Sequence, residues 1–171
     1  DQIVSVGELL STKIVNAYLN HVSINSQWMD ARDLIQTDNN YRDARIDWEL
    51  TSNCTNERLN PILNSTDNAV IITQGFIGSS SELFTTTLGR EGSDFSAGVL
   101  AYCMNAESVT IWKDVPGMLN ADPKWFDNTQ KLSNISYHEA VELAYYGATV
   151  IHPKTIKPLQ NKNISLFVKS F

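Results

Sequence analysis

The sequence is poor in cysteine, histidine and basic charge, and it contains no long apolar run. Two cysteines, Cys54 and Cys103, allow at most one disulfide, which excludes a densely cross-linked secreted scaffold, and Cys103 falls on an apolar helical pattern where it reads as a small core residue. Four Asn-x-Ser/Thr triplets, at Asn53, Asn64, Asn134 and Asn163, would suit a secreted glycoprotein. Such triplets arise by chance in an Asn-rich chain and no signal-peptide pattern opens the sequence, so a cytoplasmic location is expected. Thirteen Lys and Arg against nineteen Asp and Glu leave a formal charge of −6. That sign repels polyanions, so neither nucleic acid nor an anionic membrane surface is expected as a partner. No stretch approaches the roughly 20 apolar residues that span a bilayer. What remains is a globular composition, 42% hydrophobic with four tryptophans in 171 residues, enough for one domain with a sizeable core.

Chemistry is concentrated in Thr85-Thr86-Thr87-Leu88-Gly89-Arg90-Glu91-Gly92-Ser93-Asp94-Phe95-Ser96. Ahead of it, Ala69-Val70-Ile71-Ile72-Thr73 is a β-branched run closed by Gly75, the pattern of a buried strand. Behind it, Phe95 to Met104 is apolar nearly all round, as in a helix inside a core. Strand, glycine loop and helix N-terminus make an anion site, because the macrodipole is positive there, and Arg90 adds a planar fork for a carboxylate or phosphate. Ser93 and Asp94 are also natural helix caps, so a capped helix after a flexible loop fits the same letters.

The flanking chain predicts alternating helices and strands. Ser5 to His21 has helical spacing, with Leu9, Leu10, Ile14, Val15, Ala17 and Tyr18 on one buried face and His21 near the helix's end. Ser5 and Glu8 fit a capping box at its start. Ser26–Met29 reads as a strand, Asp30–Ile35 as a turn or helix start, and Thr37–Asp43 as an exposed loop of the kind that can close over a site. Asp47 to Leu59 fits a helix carrying Trp48, Leu50 and Cys54, broken at Asn60-Pro61. Val109–Trp112 is a second buried strand that delivers Lys113 and Asp114 at its carboxyl end, where ligands of open α/β sheets lie. Asp114 also fits a turn-starting role before Pro116-Gly117, with Lys113 a solvated charge. Ser136 and Glu139 form a second capping box, opening a helix that stops at Gly147, with His138 in its first turn. Ala148–Ile151 and Ile164–Val168 are strand-like, with a helix between them from Lys154 to Gln160. His152 before Pro153 fits a packing role, and no proton transfer is assigned to it. Strands alternating with helices imply a parallel sheet covered on both faces.

Several of these segments resemble aspartate kinases of the amino-acid kinase superfamily. Thr86-Thr87-Leu88-Gly89-Arg90-Glu91-Gly92-Ser93-Asp94 is similar to the family's T-T-L-G-R-x-G-S-D, and Gln74-Gly75-Phe76-Ile77-Gly78 to its Q-G-F-I-G. Trp112-Lys113-Asp114-Val115-Pro116-Gly117 with Ala121-Asp122-Pro123 resembles W-T-D-V-D-G and A-D-P. Glu142 to Pro153 resembles E-L-A-Y-F-G-A-K-V-L-H-P, and Gly7-Glu8-Leu9-Leu10-Ser11 resembles G-E-x-L-S. The likeness is strongest from about Ile72 to Phe171. It departs at Lys113 for Thr, Leu119 for Tyr, Lys124 for Arg and Thr149 for Lys, and the last exchange removes a cation from the phosphate contacts.

The resemblance implies a three-layer α/β/α sandwich with a mainly parallel central sheet, the amino-acid kinase fold, incomplete at the N-terminus. Residues 1–171 would form part of a catalytic domain, with 1–68 on the amino-acid-binding side and 69–171 holding the substrate loop and the nucleotide-binding side. It implies transfer of the ATP γ-phosphoryl group to the side-chain carboxylate of L-aspartate, the first step of aspartate-family (Lys/Thr/Met) amino-acid biosynthesis. Arg90 and Ser93 would act at the reacting groups. Arg90 would bind a substrate carboxylate, Glu8 and Asp94 the ammonium, and Lys113, Asp114, Leu119, Lys124 and Thr149 the nucleotide. Glu8 has the capping box as its other reading. Mg²⁺ would arrive on the nucleotide phosphates, with no protein metal site. A homo-oligomer is expected of the whole enzyme. The family's K-F-G-G segment, whose Lys meets the transferring phosphoryl group, does not occur here, so this stretch alone is expected to turn over little. A non-catalytic amino-acid or nucleotide binding module, or a different amino-acid kinase, is the alternative.

Overall fold

The computed structural model describes residues 1–65, 68–115, 117–122, 125–145 and 150–171. The chain divides into two compact units, Asp1–Ser96 and Ala97–Phe171. Among the described residues the strands lie in three short ladders, and every pairing but one is parallel. The expected α/β class with mainly parallel strands is what the chain forms.

In the first unit, α1 (Gln2–His21) leads into β1 (Ser26–Trp28), a 3-10 turn (Ala31–Asp33), β2 (Gln36–Thr37) and α2 (Trp48–Leu63). Then follow β3 (Val70–Ile72), β4 (Ile77–Ser80), β5 (Thr85–Thr87) and the start of α3 (Gly92–Met104). β1 pairs with β3 in parallel, β2 with β4 in parallel, and β4 with β5 antiparallel.

Burial in this unit is unusually polar, and two expectations for α1 are overturned. α1 begins at Gln2, so Ser5 is no cap: it is buried one turn inside the helix and its Oγ donates to the Gln2 carbonyl at 2.8 Å. Glu8 therefore sits in mid-helix and closes no capping box. Nor does α1 bury the apolar stripe. Leu10, Ile14 and Tyr18 are 59%, 61% and 63% exposed, while the inner face carries Ser5, Glu8, Thr12 and Asn16. Hydrogen bonding decides the rotation: Ser26 Oγ donates to Asn16 Oδ1, Asn20 Nδ2 to the Ser26 carbonyl, and Trp28 Nε1 to Thr12 Oγ1 at 3.1 Å. Turning the helix to bury Leu10 would strand those groups without partners.

α2 repeats the pattern. Its N-cap Asp47 accepts from Leu50 N, and Thr51, Thr55 and Leu59 are its buried residues, whereas Trp48 and Leu50 are exposed. Thr51 Oγ1 accepts from Gln36 N at 3.0 Å and donates to Gln36 O at 3.1 Å, completing the edge of β2. Pro61 does not break α2, which continues to Leu63. A proline this close to the end costs one hydrogen bond, and the carbonyl that loses it belongs to exposed Glu57, where water can replace the donor. The polar run expected as a loop starts inside β2, with Thr37 buried and its Oγ1 2.7 Å from Thr86 Oγ1.

The second unit holds the rest of α3, then β6 (Ser108–Lys113), α4 (Tyr137–Tyr145), α5 (Pro153–Asn161) and β7 (Ser165–Ser170). β6 and β7 run parallel over six residue pairs. Val109, Ile111, Ala140, Ile151, Ile156, Leu159 and Ile164 form an apolar core, each large aliphatic side chain worth about 1.5–3 kcal/mol when fully buried. The Ser136 capping box is present: Ser136 N donates to Glu139 Oε2 at 2.8 Å and Glu139 N to Ser136 Oγ at 3.2 Å. The Ser136 N–H and the Ser136 hydroxyl, which donates to the same Oε2 at 2.7 Å, hold the Glu139 carboxyl below its ordinary value. His152 is the N-cap of α5, its Nδ1 accepting from Lys154 N at 3.1 Å, with Pro153 at the first helical position. His138 lies 3.7 Å from Glu142 on the exposed face of α4. Ile151 is buried but not in a strand, and Ala148 and Thr149 of that expected strand lie outside the described residues, as does Gly147. Cys54 and Cys103 are not joined.

One ion pair anchors the first unit. Asp30 caps the 3-10 turn and takes Arg32 in a fork, Nε to Oδ1 at 2.9 Å and Nη2 to Oδ2 at 2.6 Å, while Arg32 Nη1 donates to Thr85 Oγ1. Burial raises the Asp30 carboxyl, and the bonds and charge of Arg32 outweigh it, so the net shift is below the ordinary 3.8. A lowered folded pKa gives stability that is full above the ordinary value and is lost as pH falls through the folded one. Asp30→Asn should therefore cost about 1 kcal/mol at neutral pH, a difference that shrinks to nothing under acid. Urea melts of both proteins at pH 7 and at a pH well below the ordinary 3.8, where the folded carboxyl is protonated too, measure it, and a deficit that persists there would refute the ionic origin.

Candidate functional site

The first unit gathers its chemistry where β3 ends and α3 begins. β3 runs out through Thr73 and Gln74 to Gly75, and Phe76 turns the chain into β4 with a left-handed φ of 71°. From β5 the chain passes Leu88 and Gly89, whose φ is 77°, into the turn of Arg90 and Glu91 and on into α3. These two connections are fastened together. Leu88 N donates to Phe76 O at 2.9 Å and Phe76 N to Ser96 Oγ at 2.9 Å, and Ser96 Oγ donates to Gly92 O at 2.8 Å.

The glycines mark where backbone meets backbone. A Cβ on Gly75 would lie 2.8 Å from Ser93 Cα and 2.9 Å from its Cβ, and one on Gly92 would lie 2.7 Å from the Phe76 ring. At Gly89 a Cβ would meet Asp43 Oδ1 at 2.6 Å, on a backbone already left-handed. The loop from Asp38 to Asp43 therefore packs on the Gly89 turn, and Ala44 N donating to Thr87 O at 2.9 Å fixes it there. The three threonines before the turn are buried and act as structure: Thr85 meets Arg32, Thr86 meets Thr37, and Thr87 N donates to Asp1 Oδ2.

Arg90, Ser93 and Asp94 are brought together within one turn of chain. Arg90 and Ser93 are exposed and Asp94 is half-buried. Ser93 and Asp94 are not caps, because α3 already starts at Gly92 and both lie inside its first turn. They hold a cation, an adjacent hydroxyl and a carboxylate at the positive end of a helix dipole, an arrangement able to grip an anion and a zwitterion's ammonium side by side. Glu8 is half-buried on the inner face of α1, a helix that packs against β1, β3 and β5. Sequence reading passed over the Asp30–Arg32 fork and the packing of Asp43 on Gly89; an Asp-x-Arg spacing at a strand's end was the available signal for the first, and nothing local marked the second.

In the second unit β6 ends at Lys113, half-buried, and delivers Asp114, exposed, at its carboxyl end. The turn beyond it uses Gly117 at φ 128°, against the Lys131 side chain. Leu119 is half-buried in a bridge to Lys131, flanked by Leu132 N donating to Met118 O and Asn120 N to Gln130 O. Pro116, Pro123, Lys124 and Thr149 lie outside the described residues. Among the described residues no cluster of His, Cys, Asp or Glu is set to hold a metal ion, and no helix is long and apolar enough to cross a membrane.

Gly75→Ala should push Ser93 and the start of α3 away. The expected loss is about 1–3 kcal/mol in a thermal or urea melt, the range of overpacking a close contact. Wild-type stability in Gly75→Ala would show that the contact relaxes at no cost.

The model of the amino acid kinase family matches residues 1–170. The chain is 39% identical over 170 residues to the lysine-sensitive aspartokinase 3 of Escherichia coli, covering 99% of this chain and 37% of that protein. It is 36% identical over 170 residues to a bifunctional aspartokinase/homoserine dehydrogenase of Buchnera aphidicola, covering 98% of this chain and 20% of that one. The solved E. coli aspartokinase III in complex with aspartate and ADP superposes with a TM-score of 0.92 at 38% identity, over 99% of this chain and 37% of that chain. The chain thus spans well under half the length of the relatives it matches, and it belongs to the amino acid kinase family.

Proposed function

We propose that the protein is an aspartate kinase, transferring the γ-phosphoryl group of ATP to the side-chain carboxylate of L-aspartate to give 4-phospho-L-aspartate. The observation that carries this reading is the likeness, across 99% of the chain, to an aspartokinase solved with aspartate and ADP. The Gly89–Asp94 turn supports it by placing a guanidinium and a carboxylate within one turn of chain at a helix N-terminus. Residues 1–68 would serve the amino acid, and 69–171 the substrate loop and the nucleotide. A cytoplasmic homo-oligomer feeding lysine, threonine and methionine synthesis belongs to the same reading.

The chemistry asks for alignment more than for proton transfer. A carboxylate whose unperturbed pKa is near ~3.9 is ionised at pH 7, so its oxygen can attack the γ-phosphorus directly as the bond to the β,γ-bridging oxygen breaks and ADP leaves. No base is needed. Bringing two anions together requires fixed positive charge. Arg90 would pair with the substrate's α-carboxylate, and Glu8 and Asp94 would hold its ammonium, which together orient the reacting side chain. Ser93 and the positive end of α3 would face the phosphoryl group. Lys113, Asp114 and Leu119 would contact the nucleotide, Asp114 accepting from ribose hydroxyls, with Lys124 and Thr149 beside the phosphates. Mg²⁺, carried on those phosphates, would neutralise charge as it builds on the β- and γ-oxygens.

The test is acyl phosphate formation by the full-length protein, trapped as hydroxamate, with aspartate and glutamate compared; no aspartate-dependent product would refute the reading. Within it, Arg90→Ala should lower kcat/KM for aspartate roughly 10- to 100-fold, the cost of losing a charge-assisted fork, with less effect on ATP. Unchanged aspartate kinetics would remove Arg90 from the site. Asp114→Ala should weaken nucleotide binding and leave aspartate binding nearly intact in separate calorimetric titrations. Equal losses for both ligands would mark Asp114 as a folding residue instead.

A further inference from the structure

Gln74 is 1% exposed, and both ends of its amide are engaged. Oε1 accepts from Ala31 N at 2.8 Å, and Nε2 donates to Thr12 Oγ1 at 2.7 Å. Thr12 Oγ1 also accepts from Trp28 Nε1 at 3.1 Å and donates to the Glu8 carbonyl at 2.9 Å, which uses its one donor and both acceptor sites. Ala31 follows Asp30, the residue forked to Arg32, so the network runs on to Thr85 at the start of β5. No bond in this set is a ladder bond between strands. Its members lie on α1, at the end of β1, on the 3-10 turn and in the β3–β4 connection.

Two neighbours of this network matter. Thr12 is one turn after Glu8 and on the same face of α1. Gly75, the next residue after Gln74, is pressed against Ser93 in the first turn of α3. We infer that Gln74 is a positioning residue, which sets the distance between Glu8 on α1 and the Arg90–Asp94 turn on α3 and so shapes the pocket for the amino acid's ammonium group. This rests on the proposed aspartate site. The physical reason is reach and direction. A Gln amide presents a donor and an acceptor on opposite sides of one planar group, so it holds a helix and a turn at a fixed separation. An apolar side chain of equal volume fills the space and fixes nothing, while leaving the buried Ala31 N–H and one acceptor site of half-buried Thr12 unpaired. Because Gln74 and Trp28 share the Thr12 hydroxyl, loosening Gln74 also loosens the rotation of α1 about its axis, on which the direction of Glu8 depends.

The experiment uses the full-length protein with Gln74→Met, which keeps volume and removes both hydrogen bonds, and Thr12→Val, which removes the partner hydroxyl. The expected result for each is a rise of about tenfold in the aspartate KM with the ATP KM within about twofold of wild type, the size of effect of displacing one ligand to a charged group. Thr12→Ser, which restores the hydroxyl, should bring the aspartate KM back toward wild type. Amide hydrogen exchange is read in the same proteins without substrate, and Ala31 and residues 8–16 should exchange faster in Gln74→Met and Thr12→Val. Equal rises in both KM values, or an unchanged aspartate KM in a folded variant, would overturn the positioning role. Unchanged exchange would overturn the clamp itself, whatever the enzyme turns over. Should neither variant fold, the network is a folding determinant and the positioning role falls. A wild-type protein without aspartate-dependent turnover, yet with the expected exchange pattern, would refute the functional reading and leave the clamp standing.

Discussion

The contact between Gly75 and Ser93 is the constraint on which the first unit depends. Only hydrogen fits where a Gly75 side chain would sit, 2.8 Å from the Ser93 backbone, and the Phe76 to Ser96 bond beside it closes the gap from the other side. Two stretches of chain that leave different ladders are thereby fixed to each other. Everything chemical in the unit is arranged around that junction: Arg90 and Glu91 turn the chain just before it, Asp94 follows it, and Gln74 precedes it. Gly92 against Phe76 and Gly89 against Asp43 extend the same close packing along the loop.

The two units solve the problem of burial differently. The second relies on branched aliphatics, Ile111, Ile151, Ile156 and Leu159 among them, and on two side-chain caps, Ser136 and His152. The first buries hydroxyls and amides beside its aliphatics: Ser5, Thr37, Thr51, Thr55, Gln74, Ser79, Ser80 and all three of Thr85, Thr86 and Thr87. Hydrogen bonds contribute little net energy compared with apolar burial, but a buried polar group left unmatched is costly. A core of this kind tolerates few alternative arrangements, and that specificity suits a segment whose task is to hold charged groups at set positions.

The outward face of α1 shows the other side of this choice. Because Ser5, Thr12 and Asn16 turn inward to meet polar partners, Ile3, Leu10, Ile14 and Tyr18 turn outward. The amphipathic pattern was real, but its apolar stripe faces away from this unit. Periodicity gives the axis of a helix's asymmetry and leaves open which side the neighbouring chain will cover.

The positions of strands β3 and β6, the helices α3 and α4, the Ser136 capping box and the structural place of His152 were legible in the sequence, because each depends on propensity and on residues a few positions apart. The full burial expected of both strands was not, since β3 is half-buried and β6 alternates, with Trp112 53% exposed. The likeness of the Gly89–Asp94 turn to a kinase loop was legible for a similar reason, since the glycines and the charges occupy one short segment. Tertiary structure alone decided the rest. Gln74 finds its partners 43 and 62 residues away, Thr86 meets Thr37 across 49, and Pro61 is tolerated because its helix ends soon after in solvent. No local pattern encodes such pairings, since a buried polar side chain is placed by the donor or acceptor that the folded chain brings to it, and that partner is chosen only when distant segments meet.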